Sequence, residues 1–329
     1  MFLKIAQKGK NGIGLYIATI FIVFIGYFIG QIPLTIILIA KSAEKDMSPM
    51  EMQEAVEKMD FSVFGLSENY TMFLILLTFI CGMLALWLCV TKLHKKSFKD
   101  IITPNPNINW SKIFFAFALW FGLTIVFELV FYFMNPENYT FQFEPQSFAI
   151  LAIIAIFLLP IQTSFEELLF RGYLLQGLSL AAKNRLVPLL ITSIAFGLMH
   201  IMNPEVKEFG LGIMMTYYIG VGLFLGILTL LDDSLELALG VHAATNIYGA
   251  TMVTFSGSAI QTPALFRMGE VDVKLMLVAF LIAAVIFFII AARKYGFGDW
   301  SKVTGNVKHE DWGKDETNLE ENLIAENLY

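Results

Sequence analysis

Residues 147–178 read SFAILAIIAIFLLPIQTSFEELLFRGYLLQGL, and this stretch decides how the rest of the chain is read. Its first half is apolar on every face of a helix. A helix of a soluble protein keeps a polar side, whereas a bilayer core of ~30 Å is crossed by about 20 apolar residues. The second half places Glu166, Glu167 and Arg171 inside continuing apolar sequence. Ionisable side chains within a membrane span are costly, and they usually mark function. The stretch is too long for one straight crossing, so Pro160 is expected to kink it, or its second half to run along the inner interface.

The same apolar signature recurs along the chain, at Ile13–Ala40, Tyr70–Thr91, Ile113–Met134, Val187–Met202, Leu211–Leu231, Leu235–Phe255 and Val273–Ala292. Hydrophobic residues make up 57% of the 329 positions and charged ones 15%, well short of the ~25% usual in soluble domains. The fold class expected is therefore all-α: a polytopic integral membrane helical bundle with about eight transmembrane helices. Residues 1–146 would hold the first three spans and an outside amphipathic loop. Residues 147–255 would form a helical core, 256–292 a loop and the last span, and 293–329 an acidic, flexible cytoplasmic tail. The run from Ile13 is too long for a signal peptide and lacks a small-residue cleavage site, so it reads as a retained first span.

The net charge of −6 hides a segregation. Lys4, Lys8 and Lys10, then Lys92, Lys95, Lys96, Lys99 and Lys112, then Lys183 and Arg185, then Arg293 and Lys294 alternate with segments that are acidic or nearly free of base. Eight spans place all of these on one side, so the positive-inside rule puts both termini in the cytoplasm, with a bacterial cell membrane as the expected location. The loop Asp232-Asp233-Ser234 on that side carries no base. In the first outside loop, Ser48-Pro49-Met50-Glu51 forms a capping box with proline at the first helical position, and it predicts a short amphipathic surface helix. Cys81 and Cys89 share one span and read as packing residues. No basic, aromatic-interleaved surface suggests nucleic-acid binding.

Three spans carry the chemistry. Glu167 and Arg171 are four apart, acid before base, and are expected to pair. Glu166 is then left over, rotated ~100° around the helix. Phe196 and His200 are four apart, which lets the ring pack over the imidazole, and His242 and Asn246 project together. A carboxylate with an imidazole can deprotonate water, and histidine and asparagine can donate to the oxyanion of a tetrahedral intermediate. Neither a Gly-x-Ser-x-Gly element nor a His-Glu-x-x-His helix is present. Counting ~1.5 Å per residue puts Glu166 and His242 in the inner half of the membrane and His200 nearer the outer half.

Glu166-Glu167-Leu168-Leu169-Phe170-Arg171-Gly172, Phe196-Gly197-Leu198-Met199-His200 and His242-Ala243-Ala244-Thr245-Asn246 match EExxxR, FxxxH and HxxxN in order. Over roughly Ser147 to Phe255 the chain resembles the type II CAAX prenyl endopeptidase family, also called CPBP or Abi, of CAAX proteases and bacteriocin-processing enzymes. The resemblance implies Glu166 as general base helped by His200, His242 and Asn246 as oxyanion donors, and Glu167, Arg171 and Phe196 in support. It implies no cofactor. If the enzyme is metal-dependent, as the family was first held to be, the ligands of an ion such as zinc would be Glu166, His200 and His242. The expected function is an intramembrane endopeptidase acting on a membrane-anchored protein or peptide in the lipid bilayer. A non-enzymatic immunity or scaffold protein is one alternative. A proton-coupled transporter is another, against which stands the lack of inverted repeats.

Overall fold

The computed structural model describes residues 2–259 and 261–306. The acidic stretch of the expected tail beyond residue 306, with His309, lies outside the described residues. The chain forms α1 (Ile13–Glu44), α2 (Pro49–Glu57), α3 (Glu68–Leu88, prolonged by a π-helical turn Cys89–Leu93) and α4 (Trp110–Met134). It continues with α5 (Pro145–Phe157), α6 (Leu159–Glu167), a π-helical segment Leu168–Leu174, and α7 (Leu175–Ala182). Then come α8 (Leu186–Met199), α9 (Pro204–Phe209), α10 (Leu211–Asp232), α11 (Glu236–Thr251), α12 (Val273–Tyr295) and α13 (Ser301–Thr304). Three three-residue strands, β1 (Tyr139–Phe141), β2 (Val253–Phe255) and β3 (Phe266–Met268), form a small sheet in the order β1-β3-β2. β1 lies antiparallel to β3, and β2 parallel to it.

Among the described residues, six helical stretches are long and apolar enough to cross a membrane: Ile13–Glu44, Glu68–Leu93, Trp110–Met134, Pro145–Ala182, Leu211–Asp232 and Val273–Tyr295. The eight crossings expected are not reached on this measure. α8 has 14 residues and α11 has 16, giving about 21 and 24 Å of helix. The apolar runs that suggested longer spans continue past the helices. After Met199 the chain turns through His200 to an extended Asn203, the conformation favoured before Pro204. After Thr251 the β-branched run Val253-Thr254 enters the sheet.

Contacts between the loops sort them onto two rims. At the near rim, Phe2 N donates to Asp233 Oδ1 (2.9 Å), Lys10 N to the His94 carbonyl (2.7 Å), Leu235 N to the Ile102 carbonyl (2.8 Å) and Arg185 N to the Gly305 carbonyl (3.2 Å). At the far rim, Lys207 pairs with Glu57 (2.6 Å), Arg267 with Glu68 (3.2 Å), and Asn69 Nδ2 donates to the Ser147 carbonyl (2.8 Å). The small sheet joins the loop after α4 to the loop after α11. The helical legs thus run alternately up and down, α8 and α11 included. The loop that lacked a base borrows one: Lys112, at the start of α4, reaches Asp232 (2.8 Å) and Glu236 (3.5 Å).

Several local expectations meet the coordinates. Ser48 and Glu51 close the capping box, Ser48 N donating to Glu51 Oε2 (2.8 Å) and Glu51 N to Ser48 Oγ (3.3 Å). The helix it starts packs Ala55 with Leu34, Leu38, Phe61, Phe64 and Leu74 at the far ends of α1 and α3. Pro33 leaves α1 continuous. The long fourth stretch breaks at Leu158, so that Pro160 falls in the first turn of α6, where its missing N–H costs nothing. The segment after α12 is not loose throughout, since Phe297 and Val303 are buried in the main core. Large side chains such as Phe21, Phe28, Phe114 and Phe133 face outward, as suits helices solvated by lipid rather than water.

Candidate active site

The site is built where α6, α8, α10 and α11 meet. α11 comes close to α4 because of Gly240: a Cβ there would lie 2.7 Å from Ala116 Cβ and 2.9 Å from Phe117 N. About one turn on, Trp120 Nε1 donates to Thr245 Oγ1 (2.8 Å). These contacts set the rotation of α11 and turn His242 and Asn246 toward α6.

Arg171 and Glu167 are completely buried. Their ion pair is 2.7 Å long, and Arg171 Nη2 also donates to the Gly222 carbonyl (3.2 Å). A buried ion pair persists only when its geometry and hydrogen bonds are good. Here the guanidinium also lies 4.2 Å from the centre of the Phe196 ring, a cation–π contact strengthened by exclusion of water. The same Glu167 Oε1 sits 2.8 Å from His242 Nδ1. An ionised carboxylate only accepts, so Nδ1 carries the proton and the ring orientation is held.

His242 Nε2 then faces Glu166 Oε2 at 3.5 Å. The other Glu166 oxygen, Oε1, accepts from Gln162 Nε2 (2.6 Å), and Gln162 Oε1 accepts from Asn246 Nδ2 (2.8 Å). Glu166 and Asn246 are thus hydrogen-bonded through Gln162, a residue not singled out from sequence, with His242 beside Glu166. The available signal was a polar side chain in an apolar span four residues before Glu166.

His200 stands apart from Glu166. Phe196 packs on its ring as the spacing predicted, with centroids 4.7 Å apart, and lies 6.1 Å from the His242 ring. The other face of His200 stacks on Tyr218 at 4.5 Å, and Nδ1 lies 2.8 Å from the Phe196 carbonyl. The imidazole beside Glu166 is therefore that of His242, whereas the family resemblance pairs Glu166 with His200. Among the described residues no three His, Cys, Asp or Glu side chains are grouped to hold a metal ion. Glu166, His200 and His242 do not form a ligand set in this conformation, because Phe196 lies between the two rings.

A cavity of about 630 Å³ runs through the site, lined by Gln162, Glu166, His200, His242 and Asn246 and by aromatic side chains of α1, α10 and α12. It can hold an apolar segment of substrate against a small polar group, the usual character of a ligand site.

Residues 145–248 match the family model described as Type II CAAX prenyl endopeptidase Rce1-like, which bears out the resemblance drawn from the three motifs. The match contains every residue of the polar group. A Bacillus subtilis (strain 168) protein described as "Uncharacterized protein YyaK" is 36% identical over 191 residues, 55% of this chain. The chain spans 60% of the length of that curated relative. No solved structure matches the chain.

Proposed function

We propose that the protein is an intramembrane endopeptidase that hydrolyses a peptide bond of a membrane-associated protein or peptide, with its near rim in the cytoplasm. One observation carries the reading: a carboxylate and an imidazole, Glu166 Oε2 and His242 Nε2, face each other at 3.5 Å within an apolar chamber. The family match supports peptidase chemistry at the family level.

In this proposal a water molecule lies between Glu166 Oε2 and the substrate carbonyl. Glu166 takes its proton while the hydroxide adds to the carbonyl carbon. Gln162 occupies Glu166 Oε1 and leaves Oε2 as the base. Asn246 Nδ2 has two hydrogens, of which Gln162 takes one; the other donates to the developing oxyanion. His242, held through Nδ1 by Glu167, orients the water. The tetrahedral intermediate collapses as the amine leaves with the proton held by Glu166. His200 acts on the substrate side of the chamber, not on Glu166.

The test is hydrolysis of a peptide and prenyl-peptide library by the detergent-purified protein, with and without a chelator. Glu166→Gln should lower kcat/KM by at least about a thousandfold while the variant still folds. Undiminished hydrolysis by that variant would overturn the mechanism.

A further inference from the structure

The chamber does not end at Glu166. It extends toward the far rim, where Asn203, Glu205, Tyr218, Ser258 and Ala259 line it. Glu166 and Glu205 are its two lining carboxylates among the described residues, and neither a lysine nor an arginine lines it.

Glu205 sits in the first turn of α9 and is only 8% exposed. Its Oε1 accepts from the backbone N–H of Ala259 (2.7 Å), which ties α9 to the loop after β2. Its Oε2 is buried and has no hydrogen-bond partner among the described residues. Burial, with the nearby Glu208 as a lesser cause, pushes this carboxyl above the usual range. A tie to one backbone N–H needs one acceptor oxygen. It accounts for neither the second oxygen nor the use of an ionisable group in a place so costly to charge.

A second cleft, of about 660 Å³, opens at the far rim and meets the chamber at Met59, Ile75 and Ala259. Its basic side chains are each held by an acid: Lys58 by Glu54 (2.6 Å), Lys207 by Glu57 (2.6 Å) and Arg267 by Glu68 (3.2 Å). Asp60 and Glu208 also line it and belong to no ion pair among the described residues. The approach to Glu205 is thus acidic, and a negative approach favours entry of cations.

We propose that the outer end of the chamber is a cation subsite, in which Glu205 receives a basic side chain or free amino terminus of the peptide being cut at Glu166. The inference rests on the peptidase reading and narrows its substrates to membrane-associated peptides with a positive group at a fixed distance from the scissile bond. The cation supplies what Glu205 Oε2 lacks, and a neutral side chain of equal length does not.

The experiment uses acyl-anchored fluorogenic peptides in which one lysine is walked along the positions beside the scissile bond. Each has a norleucine twin, and one pair compares free with acetylated amino termini. At one position, or at the terminus, the positive group should raise wild-type kcat/KM over its neutral twin by at least about tenfold. Glu205→Gln keeps an acceptor for Ala259 N–H but loses the charge, and should bring that ratio close to one; Glu205→Asp should restore part of it. No charge preference at any position in the wild type, or a preference that persists in Glu205→Gln, would overturn the subsite. A wild-type result needs no variant to fold.

A binding arm separates the subsite from the chemistry. The same peptide pairs are titrated against Glu166→Gln and against Glu166→Gln/Glu205→Gln. A charge preference in binding that needs Glu205, without cleavage of any peptide by the wild type, would sink the peptidase reading and leave the subsite. Cleavage without charge preference would do the reverse.

Discussion

His242 Nδ1 lies 2.8 Å from Glu167 Oε1, an oxygen that also accepts from Arg171 at 2.7 Å. The contact makes Glu167 an orienting group for the imidazole beside Glu166, so neighbouring glutamates serve two tasks. Glu167 looks inward to Arg171 and the His242 Nδ1 side, and Glu166 faces the chamber. A carboxylate that holds a histidine by one nitrogen leaves the other free for chemistry.

Arg171→Met should leave the fully buried Glu167 without its cation. The expected loss is about 3–5 kcal/mol of stability, read as a lower thermal midpoint in detergent. Arg171→Met/Glu167→Gln should recover part of that loss, because no charge is then stranded. A double variant no more stable than the single one would show that the pair does not set the stability of the site.

Gln162→Met keeps the side-chain volume but removes both links of the Asn246–Gln162–Glu166 chain. We expect kcat to fall by about ten- to a hundredfold with little change in KM, since in the proposed mechanism the chain sets the base and oxyanion donor rather than the substrate contacts. Steady-state kinetics on one cleavable peptide checks it; a change confined to KM would contradict the role.

Gly240→Val should force α11 away from α4. Overpacking of this kind costs about 1–3 kcal/mol, and activity should fall further than stability does because His242 moves with the helix. Gly122→Ala, on the same α4 but with open space around its would-be Cβ, should change stability by less than about 1 kcal/mol. Thermal midpoints and kcat/KM for the two variants test the difference.

Lys96 is buried at the near rim, where Nζ donates to the Ala6 carbonyl (2.6 Å) and Asn11 Oδ1 (2.7 Å). Burial pulls its ammonium from 10.5 down to about 8, against the opposing attraction of Asp100. Between those values the unfolded chain holds the proton and the folded chain does not, so stability should rise with pH from about 8 to about 10.5. The full effect is about 3 kcal/mol. Lys96→Met should remove this rise, measured as the slope of thermal midpoint against pH relative to the wild type.

Much of this was legible in the sequence because it is local. Apolar runs announce helices in lipid, a four-residue spacing puts Glu167 against Arg171 and Phe196 against His200, and Ser48 with Glu51 caps a helix wherever it lies. The counted depths set His200 apart from Glu166 and His242, at odds with the pairing of Glu166 and His200 that the family resemblance implies. The helix ends were less legible: an apolar run does not say where its helix stops, and those of α8 and α11 pass into a turn and a strand, leaving helices shorter than the runs.

What only the tertiary structure decided is which groups from different helices touch. No spacing along one helix tells that His242, rather than His200, faces Glu166, that Gln162 bridges to Asn246 across α6 and α11, or that Lys112 neutralises the acidic loop after α10. Those pairings depend on how far each helix is rotated and how near its neighbour it can come, which the close approach at Gly240 and the contact of Trp120 with Thr245 settle. The sequence by itself determined a membrane helical protein and the polar side chains it must shelter. The packing determined which of them share a proton's reach.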